Sequence, residues 1–410
     1  MILLSYPIAN ENVRQAACAL SEARLLAEFW TCVHWKKDGF LDEIMTESIR
    51  DQLRRRSFPS ELTPLIRTVP WREFGRHVAG KLGLNWLTIH ETGFFSMDAI
   101  FRSLDRRVAR RLSLVSGLKA IYAYEDGALE SFQAAKSLGI KRIYDHPIVY
   151  WRKVRELEKE EAQLSPEWAS TLRALNDSDE KLARKDAEIE LADVVLTPST
   201  FAKKSLDEVP NLNQTVRVVP YGASTSRGTF PNASSPNGKL RVLFVGALSQ
   251  AKGLGYLLQA ANKLDRQIEL TLIGRRVSEA IPSHATLQRH HWIPSLPHGA
   301  LLEEMARHDV LVMPSLHEGF GLVITEAMAA GLVVIATSHS AAPDLMTDGI
   351  DGFVIPVRSA GAIEEKLEIL CADRNRLMSM KEAAKRTTEA HSWRIYRERL
   401  ASVAREVIAS

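Results

Sequence analysis

Short apolar runs alternate with longer amphipathic stretches along this chain, and the two periods predict most of its elements. Ile2-Leu-Leu4, Ala120-Ile-Tyr-Ala-Tyr124, Arg142-Ile-Tyr144 and Asp193-Val-Val-Leu-Thr197 read as strands buried on both faces, because apolar positions run on without alternating. Helical spacing fills the intervals, for example over 11–28, 128–138 and 150–163. Around 222–239 the texture changes to GASTSRGTFPNASSPNGK, which reads as a linker. A second alternation follows. Arg241-Val-Leu-Phe-Val245, Glu269-Leu-Thr-Leu-Ile273, Val310-Leu-Val-Met313 and Leu332-Val-Val-Ile335 are its strands, with helices over 253–264 and 361–371. The pattern predicts an α/β chain of two Rossmann-like, doubly wound halves facing across a cleft, residues 1–222 and 239–390, joined by a linker over 223–238. Ligands of such sheets bind beyond the carboxyl ends of strands, so candidate chemistry belongs just after them.

The stretch Ser315 to Thr337, SLHEGFGLVITEAMAAGLVVIAT, fits that place. Met313-Pro314-Ser315 ends a strand, and Leu322 to Ala330 reads as a helix closed by Gly331. Gly319 and Gly321 carry no Cβ, so a ligand can approach the backbone. The N–H groups of Gly319, Phe320, Gly321 and Leu322 then lie at a helix N-terminus, an anion site suited to a diphosphate. A carboxylate beside phosphate needs a neutral partner. Glu318 is therefore assigned to sugar hydroxyls and Glu326, further along, to a ribose diol. The ligand implied is a nucleotide-diphosphate sugar.

Glu318-Gly-Phe-Gly, four residues, then Glu326-Ala-Met-Ala-Ala-Gly331 resembles the paired-glutamate signature (E-x7-E) of family-4 retaining glycosyltransferases, which have the GT-B fold. Phe244-Val-Gly246-Ala-Leu-Ser-Gln-Ala-Lys252-Gly253 is similar to the first strand–loop–helix of that family's C-terminal domain, whose lysine meets the donor diphosphate. Ala192-Asp-Val-Val-Leu-Thr-Pro-Ser199 and Val218-Val-Pro220-Tyr-Gly222 resemble the end of its N-terminal domain. His391-Ser-Trp393 with the segment 391–410 looks like the final helix that crosses back. The likeness is strong from about 190 to 400 and weak over the first 110 residues. It implies a hexosyltransferase-type enzyme of polysaccharide or glycolipid assembly, with front-face attack on a nucleotide sugar and a saccharide or lipid-linked acceptor. It implies no cofactor besides the donor and no metal, since Lys252 and the helix terminus stabilise the leaving diphosphate. His146, in Ile143-Tyr-Asp145-His146-Pro147, looks like the family's histidine facing the donor sugar.

The chain also departs from the family pattern. Ala247 stands where an arginine is usual, so Arg275, Arg276, Arg152 and Lys153 are candidates for the missing diphosphate contact. Side chains around 275–294 are expected near the base. The first turn, Tyr6-Pro-Ile-Ala-Asn10-Glu-Asn12-Val-Arg14, lacks the usual glycines. One of Asn10 and Asn12 is expected to cap the next helix and the other to face the acceptor. Glu125 and Asp126, where members often have histidine, either engage the acceptor or start a helix. Two other readings are a phosphorylase or nucleotide-sugar epimerase of this fold, and a non-catalytic sugar-nucleotide-binding subunit.

Composition narrows the rest. A chain of 410 residues, 45% hydrophobic, 25% charged and with a net charge of +3, gives no ground for a nucleic-acid partner. Cys18, Cys32 and Cys371 read as buried thiols of a reducing compartment. MILLSYPIAN reads as a first strand rather than a signal peptide, and a cytoplasmic protein is expected. His284, His290, His291 and His298 lack metal-ligand spacing and read as loop or strand-end histidines, and Asp177-Ser-Asp179 reads as a helix junction. From Arg54 to Lys119, thirteen Lys/Arg face five Asp/Glu. There Phe101, Leu104, Val108 and Leu112 share one helical face, with Arg102, Arg106 and Arg110 turned elsewhere. This region is either a packed helix with a solvated basic side or a peripheral contact with anionic membrane.

Overall fold

The computed structural model describes residues 1–35, 54, 56–223, 238–278 and 289–410. The expected linker, apart from its two ends, lies outside the described residues, as do His284 and part of the stretch expected near the base. Two parallel sheets organise the chain. The first has seven strands, β1 (Ile2–Ser5), β2 (Leu26–Thr31), β3 (Ile66–Thr68), β4 (Ala120–Tyr124), β5 (Lys141–Asp145), β6 (Val194–Thr197) and β7 (Thr215–Val218), in the order β3-β2-β1-β4-β5-β6-β7. The second has six, β8 (Leu240–Val245), β9 (Ile268–Ile273), β10 (His291–Ile293), β11 (Val310–Met313), β12 (Val333–Thr337) and β13 (Gly352–Ile355), in the order β10-β9-β8-β11-β12-β13. Strand order reverses between β1 and β4 in one sheet and between β8 and β11 in the other. These are the switch points where a crevice opens in a doubly wound sheet.

The apolar runs became central strands because both faces are covered. Every residue of β4, β11 and β12 is buried. The expected helix over 11–28 is corrected. It ends at Glu22, and Leu26–Thr31 is β2. The break falls at Arg24, whose φ of 58° is left-handed without a glycine to announce it. β2 was also hidden by its polar Glu28, which is buried and held by Arg111 at 2.7 Å and the Trp30 indole at 2.8 Å.

Segments cross between the two halves. The last helix, Trp393–Ala409, lies on the first, Glu11–Glu22, where Arg397 donates to Glu22 at 3.0 Å and to Gln15 at 2.6 Å. The Ala223 N–H bonds the His391 carbonyl at 2.6 Å. Trp168, which precedes the linker, is buried in the core of the second sheet. No described helix is long and apolar enough to cross a membrane.

Candidate active site in the interdomain cleft

Two loops bring the donor-side residues together. Beyond β8, a 3-10 turn over Gln250–Lys252 ends at Gly253, whose left-handed φ of 69° suits glycine; a Cβ there would lie 1.9 Å from the Pro314 carbonyl. The loop after β11 docks on this turn through the Leu316 N–H, which donates to the Ala251 carbonyl at 2.9 Å. Lys252 therefore pairs directly with Glu318. Ser315 Oγ donates to the same carboxylate at 3.1 Å, and the Glu318 N–H is tied to the His339 carbonyl at 2.9 Å. Gly246 lies under Lys252, whose Cγ would be 3.7 Å from a Cβ at that glycine.

The helix Leu322–Ala329 begins at Gly321, with φ 86°. Among the described residues, the N–H groups of Gly319, Phe320, Gly321 and Leu322 have no protein acceptor. They are the donors an anion would meet. The Phe320 side chain is buried against Tyr221, ring centroids 5.2 Å apart, so only its backbone is offered to a ligand. Glu326 is hydrogen-bonded to His298 Nε2 at 2.9 Å. That bond raises His298 above the ordinary histidine range. The expectation of a loop or strand-end histidine is corrected here: His298 opens the helix His298–Met305 and occupies the carboxylate assigned to ribose.

The first sheet supplies the other wall. His146 follows β5 and is buried, with neither ring nitrogen hydrogen-bonded among the described residues. Burial lowers its pKa, and the Glu125 carboxylate 3.9 Å from Nδ1 offsets this only in part, so the ring is neutral. Burial acts to raise Glu125, but Lys185 at 3.0 Å overcomes it and holds the carboxylate ionised. Asp145, also buried, is pushed up to about 7 by desolvation, against the hydrogen bond that Tyr122 donates at 2.5 Å. Burial likewise lifts Glu188 to about 8, with Asp126 adding to the effect. Reading by motif misses Lys185 and Glu188. Their signal is a helix face over Asp179–Leu191 where Lys181, Lys185 and Glu188 recur at helical spacing beside Leu182 and Ile189.

The walls meet at Gly319. Ser199 Oγ donates to its carbonyl at 2.5 Å, and a Cβ on it would lie 1.9 Å from the Pro147 carbonyl, next to His146. The Thr200 N–H reaches Asp344 at 2.7 Å, and His317 meets the buried Glu158 at 3.1 Å.

Other assignments fare differently. Asn10 caps the first helix by accepting from the Val13 N–H at 3.1 Å. Asn12, expected toward the acceptor, is buried and donates to Tyr221 at 3.1 Å, which makes it a brace between the first helix and the end of the first domain. Glu125 starts no helix; its carboxylate is neutralised by Lys185 beside His146. Arg152 is bound to Asp186 at 2.9 Å and to the Tyr150 hydroxyl, and Lys153 to Glu156 at 2.6 Å, so both are committed within the first domain. Arg275 is exposed, and its carbonyl accepts from the Leu248 N–H at 2.9 Å, directly beside Ala247. Arg276 stacks over Trp292 at 4.7 Å. The Asp177-Ser-Asp179 stretch starts a helix capped by Ser178. Among the described residues His90, Glu91 and Asp177 are grouped as metal ligands would be, but Lys181 Nζ stands 3.1 Å from Asp177 and already supplies the positive charge.

Residues 227–387 match the family model of glycosyl transferases group 1. The chain is 27% identical over 250 residues to a D-inositol 3-phosphate glycosyltransferase of Corynebacterium aurimucosum, covering 54% of this chain and 59% of that protein. It is 36% identical over 104 residues to a sucrose synthase of Melioribacter roseus, covering 24% and 13%. The matches thus span less than two thirds of these relatives. Among solved structures, sucrose-phosphate synthase from Thermosynechococcus elongatus superposes with a TM-score of 0.68 at 19% identity, over 100% of this chain and 99% of that one. HepE from Anabaena in complex with UDP-glucose gives 0.63 at 14% identity, over 99% of both. The chain thus has the GT-B fold, and the part of it that matches glycosyl transferases group 1 is its second half.

Proposed function

We propose that this protein is a retaining glycosyltransferase that moves a sugar from a nucleotide-diphosphate donor to a saccharide or lipid-linked acceptor in the cytoplasm. The observation that carries this reading is the pairing of Lys252 with Glu318 next to the N–H groups of 319–322, which lack acceptors among the described residues, where Gly319 abuts the Pro147 carbonyl that follows the buried, neutral His146. A donor would replace that ion pair with two better-matched contacts. The Lys252 ammonium would turn to the diphosphate, and the Glu318 carboxylate would accept from sugar hydroxyls. Glu326 would leave His298 for the ribose diol. Arg275, beside Ala247, would supply the second cation.

The chemistry follows from what is present. Negative charge develops on the departing β-phosphate, where Lys252 and the helix terminus are aimed. The neutral His146 ring can hydrogen-bond the sugar without adding a charge near the cationic anomeric carbon. The acceptor hydroxyl then attacks from the leaving-group side, and the phosphate oxygen takes its proton. In this reading neither a metal nor a cofactor is needed. Glycosyltransferase relatives and UDP-bearing structural neighbours support the donor class and make uridine the first base to test.

The test is thermal stability with UDP, GDP, ADP, TDP and their sugars, for wild type, Lys252→Ala and Glu326→Ala. A ligand bound only by the native state raises the melting temperature. A shift with one base, lost in both variants, followed by acceptor-dependent turnover, is expected. Turnover of donor without acceptor would instead indicate an epimerase, and binding without turnover a non-catalytic subunit.

A further inference from the structure

The helix Trp71–Lys81 is packed with its apolar face outward. Its spacing aligns Trp71, Phe74 and Val78, with Leu82 just beyond, and all four are about half exposed or more. The opposite face is buried and carries Ala79 and Glu73, the latter paired with Arg56. Packing has paired a carboxylate with an arginine and left the ridge bare. Trp86 and Phe94 extend the exposed patch, and a contiguous apolar surface of this kind marks an interaction site.

Beside the ridge is a cavity of about 610 Å³ lined by Arg67, Arg72, Arg106, Arg107 and Arg110 with no carboxylate among the lining residues. The nearby Glu28 is taken by Arg111 at 2.7 Å and Arg67 at 3.7 Å, and among the described residues Arg106, Arg107 and Arg110 form no ion pair. Ridge and cavity are one surface. The Arg72 guanidinium lies 4.3 Å from the Trp71 ring and 4.4 Å from the Phe94 ring. Thr68, Val69 and Pro70 line the cavity too, so it opens at the carboxyl end of β3, the same edge of the sheet as the cleft.

We infer that this face docks on an anionic phospholipid surface, the Trp71–Leu82 ridge lying in the acyl boundary and a lipid phosphate entering the arginine cavity. The pairing of features selects this occupant. Guanidinium groups bind phosphate oxygens two at a time. An apolar helix face flanked by arginines lies in a membrane interface, drawn there by negative surface potential. A second copy of this chain would set arginine against arginine. The docking is independent of the transfer reaction proposed above, and it would hold the cleft edge toward the lipid.

The experiment is co-sedimentation of the full chain with phosphatidylcholine vesicles, with and without phosphatidylglycerol. Binding at least ~10-fold stronger to the anionic vesicles is expected, falling with added salt. The exposed triple variant Arg106→Glu/Arg107→Glu/Arg110→Glu should fall to the neutral-vesicle level with an unchanged melting temperature. Trp71→Ser/Phe74→Ser should weaken binding several-fold and make what remains fully salt-sensitive. Equal or absent binding to both vesicle types overturns the inference. So does a concentration-dependent dimer abolished by Trp71→Ser/Phe74→Ser. So does stabilisation by inorganic pyrophosphate, lost in the arginine variant, without vesicle binding.

Discussion

The two edges that meet at Gly319 hold charge in opposite ways. On the second sheet, Lys252, Glu318, Glu326 and His298 are partly exposed, lie on loops and short helices, and form two close pairs. On the first sheet, Glu125, Asp145, Glu188, Lys185 and His146 are buried; desolvation sets Asp145, Glu188 and His146, while Glu125 and Lys185 keep each other ionised against it. The first arrangement is exchangeable: a ligand can take over each partner. The second is fixed, because separating its ions leaves charge without water. In the proposed reading, one edge binds and releases the donor and the other holds a neutral imidazole in place.

Breaking the buried network should produce the largest effect. Lys185→Met leaves the buried Glu125 without its nearest cation, while Asp126 keeps Arg184 at 3.1 Å, at a cost of roughly 3–5 kcal/mol in unfolding free energy by urea titration. A loss below about 1 kcal/mol would remove the distinction drawn between the edges. On the other edge, Lys252→Ala should leave urea stability nearly unchanged but lower turnover about 10²–10³-fold, equivalent to about 2.7–4 kcal/mol. Turnover equal to wild type would end the diphosphate assignment.

A pH series sharpens the contrast. Asp145 and Glu188 have folded pKa values raised to about 7 and about 8. Their contribution to stability is complete below the unfolded carboxylate range and is lost as pH rises through those values, on the order of 4 kcal/mol for each group. Melting temperature should therefore fall between roughly pH 5 and 8, and Asp145→Asn with Glu188→Gln should flatten the profile. The exposed edge gives the smallest effect. His298 is raised by Glu326, so their pair stabilises below the ordinary histidine pKa and is lost as pH rises through the raised value, by less than ~1 kcal/mol after solvent screening. Nucleotide affinity should rise a few-fold over that window as Glu326 is released. His298→Gln should abolish the trend in a binding titration.

The alternation of buried strands and helices was legible along the chain, because a parallel strand covered on both faces must be apolar throughout, as β4, β11 and β12 are. So was the loop of Glu318 to Leu322, where glycine, carboxylate and helix start are contiguous and the chemistry is local. Tertiary structure decided what depends on distant partners. β2 exists because Arg111, 83 residues away, neutralises Glu28. Asn12 became a brace because Tyr221 reaches it, and Arg152 was withdrawn by Asp186. His298 met Glu326 only when the two helices His298–Met305 and Leu322–Ala329 came together. The helix Trp71–Lys81 carried a readable apolar stripe, yet which way it faced was settled by Arg56 and Glu73 pairing beneath it. A charge's partner lies wherever the fold brings it, and periodicity along the chain carries no record of that distance.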